Sequence, residues 1–196
     1  MTLRHNDMCR EWHELCATAL TPAAVTDEPE IPLGRPAVGA GASATPADLS
    51  IATRGDVGVH GFWTQGATAI FNVRVTDVDA ASNVRIAPAR VLARQEKEKK
   101  QKYLPACQGP SRSFTPLVFS TDGMLGKEAK SASRRLASLL AGKWKRPFSQ
   151  MCGFVRSRQS IALVRSTSLL LRGARNSLPR SRGPVWDNVA GLALYR

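Results

Sequence analysis

The residues able to do chemistry concentrate in 54–76, RGDVGVHGFWTQGATAIFNVRVT, which reads as two short strands joined by a tight turn. Side chains alternate between the two faces of a strand. Asp56, His60 and Phe62 therefore share one face of the first strand, and Val57, Val59 and Trp63 the other. On the second strand Phe71, Val73 and Val75 point together, opposite Ile70, Asn72, Arg74 and Thr76. With the apolar faces turned to the core, Asp56, His60, Asn72 and Arg74 meet on one side of the hairpin. A carboxylate, an imidazole, a carboxamide and a guanidinium gathered in this way form a site-like arrangement. Further along the chain Lys99 and Tyr103 lie one helical turn apart, so both can reach the same place.

Three other stretches have residue types suited to chemistry. His5, Cys9, His13 and Cys16 fall within about 80° on one face of an N-terminal helix, so metal binding has to be considered. One straight helix rarely delivers more than two ligands to a single Zn²⁺, and a core-facing or partner-facing stripe is the preferred reading. DGMLGKE at 122–128 invites comparison with a phosphate-binding loop. It has only two residues between Gly123 and Gly126, and Glu128 where Ser or Thr would hold Mg²⁺, so a strand-to-helix turn accounts for it better. KWKRPF at 143–148 interleaves basic and aromatic groups, which suits phosphate contact plus stacking.

The elements that must position these residues follow from periodicity and turn signals. NDMCREWHELCATAL at 6–20 is a helix that Asn6 or Asp7 can cap and Pro22 ends. Residues 21–50 hold five of the twelve prolines and many small residues, so they read as a linker, and the folded domain is expected to start near 51. Residues 89–108 form a helix carrying Val91, Leu92, Gln95, Lys99, Lys102 and Tyr103, closed by Pro105 and Gly109. FTPLVFST at 114–121 is a buried strand, and a helix follows from about 127 to 143. A last helix over 148–172 carries Phe154, Val155, Ile161, Leu163, Val164 and Leu169 for packing, and 173–196 reads as a basic disordered tail. An edge strand has room to hide in 64–86.

Charge bounds the partner. Residues 1–50 carry 3 basic and 7 acidic side chains, 51–125 carry 10 and 6, and 126–196 carry 15 and 2, for net charges of −4, +4 and +13. So concentrated a basic excess points to nucleic acid, DNA ahead of RNA. Arg54, Lys143, Trp144, Lys145, Arg146, Arg156, Arg158 and Arg165 are the residues expected to contact it. Hydrophobic content of 43% supports a real core in one domain with appendages. Four cysteines without a CxxC pair suggest free thiols in a reducing compartment. No apolar run spans a bilayer and no targeting segment is evident, which leaves nucleus or cytoplasm.

Taken together, helix, linker, strand, strand, helix, strand, helix, helix resembles the restriction-like PD-(D/E)XK nuclease core, an α/β fold of order αβββαβ, here with extra C-terminal helices. In that family an Asp opens one strand, and an acidic residue, one position and a Lys follow on the next. The likeness is closer to the endonuclease domain after the reverse transcriptase of some non-LTR retrotransposons and related retroelement-like reading frames. Their pattern is a basic residue, one residue, Asp, a gap of about a dozen or slightly more, an acidic residue, then a helix with Lys and Tyr. Arg54-Gly55-Asp56 matches the first part with Gly in place of Pro, Lys99 and Tyr103 match the last, and 15 residues separate Asp56 from position 72. EKEKKQKY, FTPLVFSTDG and IALVR add general similarity, and the match covers about 51–172.

The resemblance implies metal-dependent phosphodiester hydrolysis, with Asp56, Asn72, Arg74, Lys99 and Tyr103 at the catalytic positions and Mg²⁺, if the protein is active, at Asp56 and Asn72. Two of these positions depart from the family. Asn72 keeps the shape of the expected carboxylate but not its charge, and a hard cation needs charged oxygens. Arg74 replaces a Lys and stays protonated. Lys99 could take that role from the helix, and Asp77 or Asp79 could replace the carboxylate, although Asp77 lies on the opposite strand face. The expectation is thus a nucleic-acid-binding, endonuclease-like domain, weak or inactive in catalysis. A non-enzymatic basic protein or decayed fragment is the alternative, with Asp56 paired to Arg54 or Arg74. The resemblance also allows a longer polymerase-containing polyprotein, with the helix bearing His5 and Trp12 as the remnant of an upstream cysteine and histidine module.

Overall fold

Two hydrophobic periods, one of strands and one of helices, interlock into three layers. The computed structural model describes residues 3–31, 53–107 and 111–174. Its elements are α1 (Leu3–Ala19), β1 (Val25–Asp27), β2 (Glu30–Ile31), β3 (Thr53–Arg54), β4 (Val57–His60), β5 (Thr68–Thr76), α2 (Pro88–Tyr103), β6 (Arg112–Ser120), α3 (Lys127–Trp144) and α4 (Phe148–Ala174). The protein is a mixed α/β fold whose main sheet runs β1-β4-β5-β6, with β2 and β3 paired separately. β1 and β5 are antiparallel to β4. β6 joins β5 in parallel after the α2 crossover, with Asn72 opposite Pro116. Proline is tolerated there because β6 is an edge strand.

Both faces of the sheet are covered. Val57, Val59, Phe71, Val73, Leu117 and Phe119 turn toward α1, α3 and α4, where Met8, Trp12, Leu136, Leu140 and Val155 close the larger core. Ile70, Phe114 and Val118 turn to the other side and meet Tyr103, Val91 and Leu92 of α2. The alternation expected for β5 is observed. Because both of its faces are roofed, Asn72 is as buried as its apolar neighbours.

Several expectations are corrected by this packing. Phe62 does not share the face of Asp56 and His60: Gly61, at φ 77°, ends β4 in a turn, and Phe62 swings into the core against Phe71, with ring centroids 4.9 Å apart. The proposed linker contains β1 and β2, and Ile31 is fully buried. The edge strand sought in 64–86 is β1 instead, since 77–87 folds as turns. The folded region does not begin near 51, because Trp12, Leu15 and Cys16 of α1 lie at its centre. α1 starts at Leu3, which puts Asn6 and Asp7 inside the helix; Asp7 pairs there with Arg10. In α4, Val155 and Leu163 are buried and Phe154 is half-buried, but Ile161, Val164 and Leu169 are exposed, because the helix packs along one narrow stripe. α4 also runs two residues past the expected boundary at 172, to Ala174. The rest of the proposed tail, and 32–50 of the proposed linker, lie outside the described residues. Among the described residues no helix is long and apolar enough to cross a membrane.

Candidate functional site

Asp56 is fixed by the backbone on three sides. Its N–H donates to Phe71 O at 2.9 Å, and its carbonyl accepts from Glu28 N–H at 3.1 Å. Its Oδ2 accepts from Val73 N–H at 2.6 Å, which leaves Oδ1 facing His5 Nε2 at 3.5 Å. The preceding Gly55 is required locally: a Cβ there would stand 2.4 Å from Ile70 Cγ2.

Asp56, Asn72, Arg74, Lys99 and Tyr103 all line one cavity of about 390 Å³ between the hairpin and α2, with Arg54 at its edge. Strand alternation groups Asp56, Asn72 and Arg74, i, i+4 spacing groups Lys99 and Tyr103, and the docking of α2 brings the two groups together. Asn72 is 4% exposed, and its Oδ1 has no hydrogen-bond partner among the described residues. Burial lowers the pKa of the Lys99 ammonium, an effect that the Asp56 charge opposes and Arg74 reinforces. Lys99 Nζ stands 5.5 Å from the Tyr103 ring centroid. Tyr103 itself is a core residue, 5.3 Å from the Phe114 ring. Arg74 and Arg54 do not pair with Asp56; they reach Glu98 at 3.4 Å and Glu28 at 3.3 Å.

His60 is excluded from the site. It pairs across the ladder with Thr68, and four residues of strand put it roughly 13 Å from Asp56. Asp77 and Asp79 are absent as well, since Asp77 Oδ1 accepts from Asp79 N–H at 3.0 Å in the turn after β5.

His5 and Cys9, both on α1, stand beside Asp56 instead, and His5 lines the cavity. Their sequence signal was the His/Cys stripe of α1, which the fold divides. His13 turns to Asp27 at 2.6 Å, Cys16 is buried in the core, and His5 Nε2 lies 3.5 Å from Cys9 Sγ. Burial pushes the Cys9 thiol up, and the charges of Asp56, Asp27 and Glu28 push it further.

The residues expected to contact nucleic acid divide into two groups. Lys143 caps the end of α1, donating to Thr18 O at 2.6 Å and Leu20 O at 3.0 Å. Arg158 clamps Glu11 at 2.6 Å and Glu14 at 2.9 Å, which raises its pKa. Arg165 lies exposed along the same seam. Lys145, at φ 53°, ends α3, and exposed Arg146 follows it. Trp144 is half-turned to solvent with its ring 5.4 Å from Phe154. Arg156 belongs to a different feature, a groove of about 600 Å³ shared with Lys130, Arg134, Met124, Phe148 and Val155. Lys130 and Arg134 were missed, although their i, i+4 spacing on α3 was visible.

No family model, no curated protein and no solved structure matches this chain, so its functional reading rests on the placement of these residues.

Proposed function

We propose that the chain is a nucleic-acid-binding, endonuclease-like domain of retroelement origin in which hydrolysis is weak or lost. The observation that carries the reading is the shared cavity of Asp56, Asn72, Arg74, Lys99 and Tyr103, with a buried carboxamide where a second carboxylate would serve. Element order supports a restriction-endonuclease-like core: omitting the small β2–β3 pair, the chain runs α1, β1, β4, β5, α2, β6, with Asp56 entering β4 and Asn72 and Arg74 on β5. The groove of Lys130, Arg134 and Arg156, beside exposed Phe148, supports a phosphate-bearing partner.

Mg²⁺ takes hard oxygen ligands, usually including one or two carboxylates. Asp56 offers one and Asn72 a neutral carbonyl, while the next donors are an imidazole and a thiol. The donors present do not fit a resident Mg²⁺, which is why catalysis is assigned as weak or lost.

The test uses supercoiled plasmid with Mg²⁺ or Mn²⁺. Wild type is expected to leave the plasmid intact or nick it slowly, and Asn72→Asp to nick faster by roughly 10-fold or more. Equal inactivity of both proteins would remove the chemical support for a nuclease. Binding is read separately by salt titration on duplex DNA: affinity should fall steeply with salt, and each of Lys130→Ala, Arg134→Ala and Arg156→Ala should reduce the slope by about 1. A flat salt response would sink the electrostatic argument.

The burial of Tyr103 against Phe114 favours a second reading, a basic binding protein in which this corner is only core. On that reading Asn72→Asp does not nick, and Asp56→Ala leaves the affinity for DNA unchanged.

A further inference from the structure

Beside the cavity that fits Mg²⁺ poorly lies a different donor set, of which His5 and Asp56 line the cavity wall. His5 Nε2 lies 3.5 Å from Cys9 Sγ and 3.5 Å from Asp56 Oδ1, and all three ligand atoms lie within 4.8 Å of one another. The His5–Asp56 separation is long for a hydrogen bond, which places an N–H donor about 2.7–3.2 Å from an oxygen, whereas the His5–Cys9 contact is an ordinary hydrogen bond to sulfur. The two 3.5 Å separations match a shared metal, since ligand atoms about 2.0–2.3 Å from a tetrahedral Zn²⁺ stand roughly 3.3–3.8 Å apart. The set is also preorganised. α1 fixes His5 and Cys9 one turn apart, while Val73 N–H holds Asp56 Oδ2 and leaves Oδ1 free. A second observation points to the same place. Asn72 Oδ1, buried and without a partner among the described residues, belongs to a side chain lining the cavity with His5 and Asp56. Arg54, Arg74 and Lys99 share that cavity and oppose a hard cation held by charge alone. A thiolate and imidazole set binds borderline ions more covalently and tolerates such neighbours.

We infer that His5, Cys9 and Asp56 form a site for a transition-metal dication of the zinc class, with the Asn72 carbonyl beside it. The site does not depend on the nuclease reading, since it uses donors from α1 that the reading does not require. Binding couples α1 to the β4–β5 hairpin and releases the Cys9 thiol proton to solvent.

The experiment titrates the full, reduced chain with Co²⁺ and reads the thiolate-to-cobalt charge-transfer absorption and the intensity of the visible ligand-field bands. One equivalent should develop both, Zn²⁺ should displace them, and excess Mg²⁺ should leave them in place. Cys9→Ser should abolish the charge-transfer band, His5→Gln and Asp56→Asn should weaken Co²⁺ binding by roughly 10-fold or more, and Cys152→Ser should bind as wild type. Far-ultraviolet circular dichroism of each variant confirms that it is folded. Absence of the band in wild type, or its persistence in folded Cys9→Ser, overturns the site. The plasmid assay is scored separately. Cobalt bands without nicking by Asn72→Asp uphold the site and remove the nuclease, and nicking without cobalt bands does the reverse.

Discussion

Gly55 occupies a position that no larger residue can fill without displacing Ile70, and its N–H donates to Pro29 O at 2.9 Å. Gly55→Pro would install the residue of the resembled nuclease pattern, yet it removes that donor and adds a clash. It should destabilise the fold by about 2–4 kcal/mol, seen as a lower urea midpoint with unchanged slope. An unchanged midpoint would show that the backbone has room that the packing denies. Period two on the strands made Asp56, Asn72 and Arg74 readable as one group, and i, i+4 spacing paired Lys99 with Tyr103, but that α2 brings the second group to the first was an expectation of the nuclease resemblance, not of local rules. His5 and Cys9 were not placed beside Asp56, since their position depends on how α1 docks, which no local spacing encodes. His60 failed for the opposite reason: it shares the face of Asp56 but lies too far along the strand.

Among the elements, α2 does more than roof the sheet. Glu96 Oε1 accepts from Glu128 N–H at 2.9 Å and so caps the start of α3, where Gly126 leaves room for it: a Cβ would stand 2.3 Å from that oxygen. Burial holds the Glu96 carboxyl above its ordinary value of 4.5, against the lowering effect of that hydrogen bond. The folded chain therefore keeps a proton that the unfolded chain releases, and this residue's contribution to stability falls as pH rises above 4.5. Glu96→Gln keeps the acceptor without the charge. Its melting temperature should exceed wild type at pH 7 and converge with it at pH well below 4.5, measured by circular dichroism. A lower melting temperature at pH 7 would mean that the charge at the helix start outweighs its burial. The helices and the longer strands were recovered from periodicity, but β1, β2 and β3, of two or three residues each, are too short to show a period.

For the molecule as a whole, α1 is part of the core rather than an appendage. The Trp12 ring lies 5.2 Å from Phe71 and 6.0 Å from Phe62, and the residue is 1% exposed. Trp12→Ala should cost about 3–5 kcal/mol by chemical denaturation, and a small cost would show that α1 can leave the core without unfolding it. Excess charge also changes meaning at this scale. Lys143 and Arg158 are spent on holding α1, so fewer cations than the composition suggests are free to meet a phosphate backbone. The contacts that seat α1 are far apart in the chain: Lys143 reaches Thr18, Arg158 reaches Glu11, and Arg4 reaches Thr167 across 163 positions. During synthesis α1 therefore leaves the ribosome with the side that α4 covers still open while α4 is being translated, even once Phe62 and Phe71 of the sheet are there for Trp12. At about 5–20 residues per second that wait lasts roughly 8–30 s, long enough for a holdase chaperone to be the first partner this helix meets.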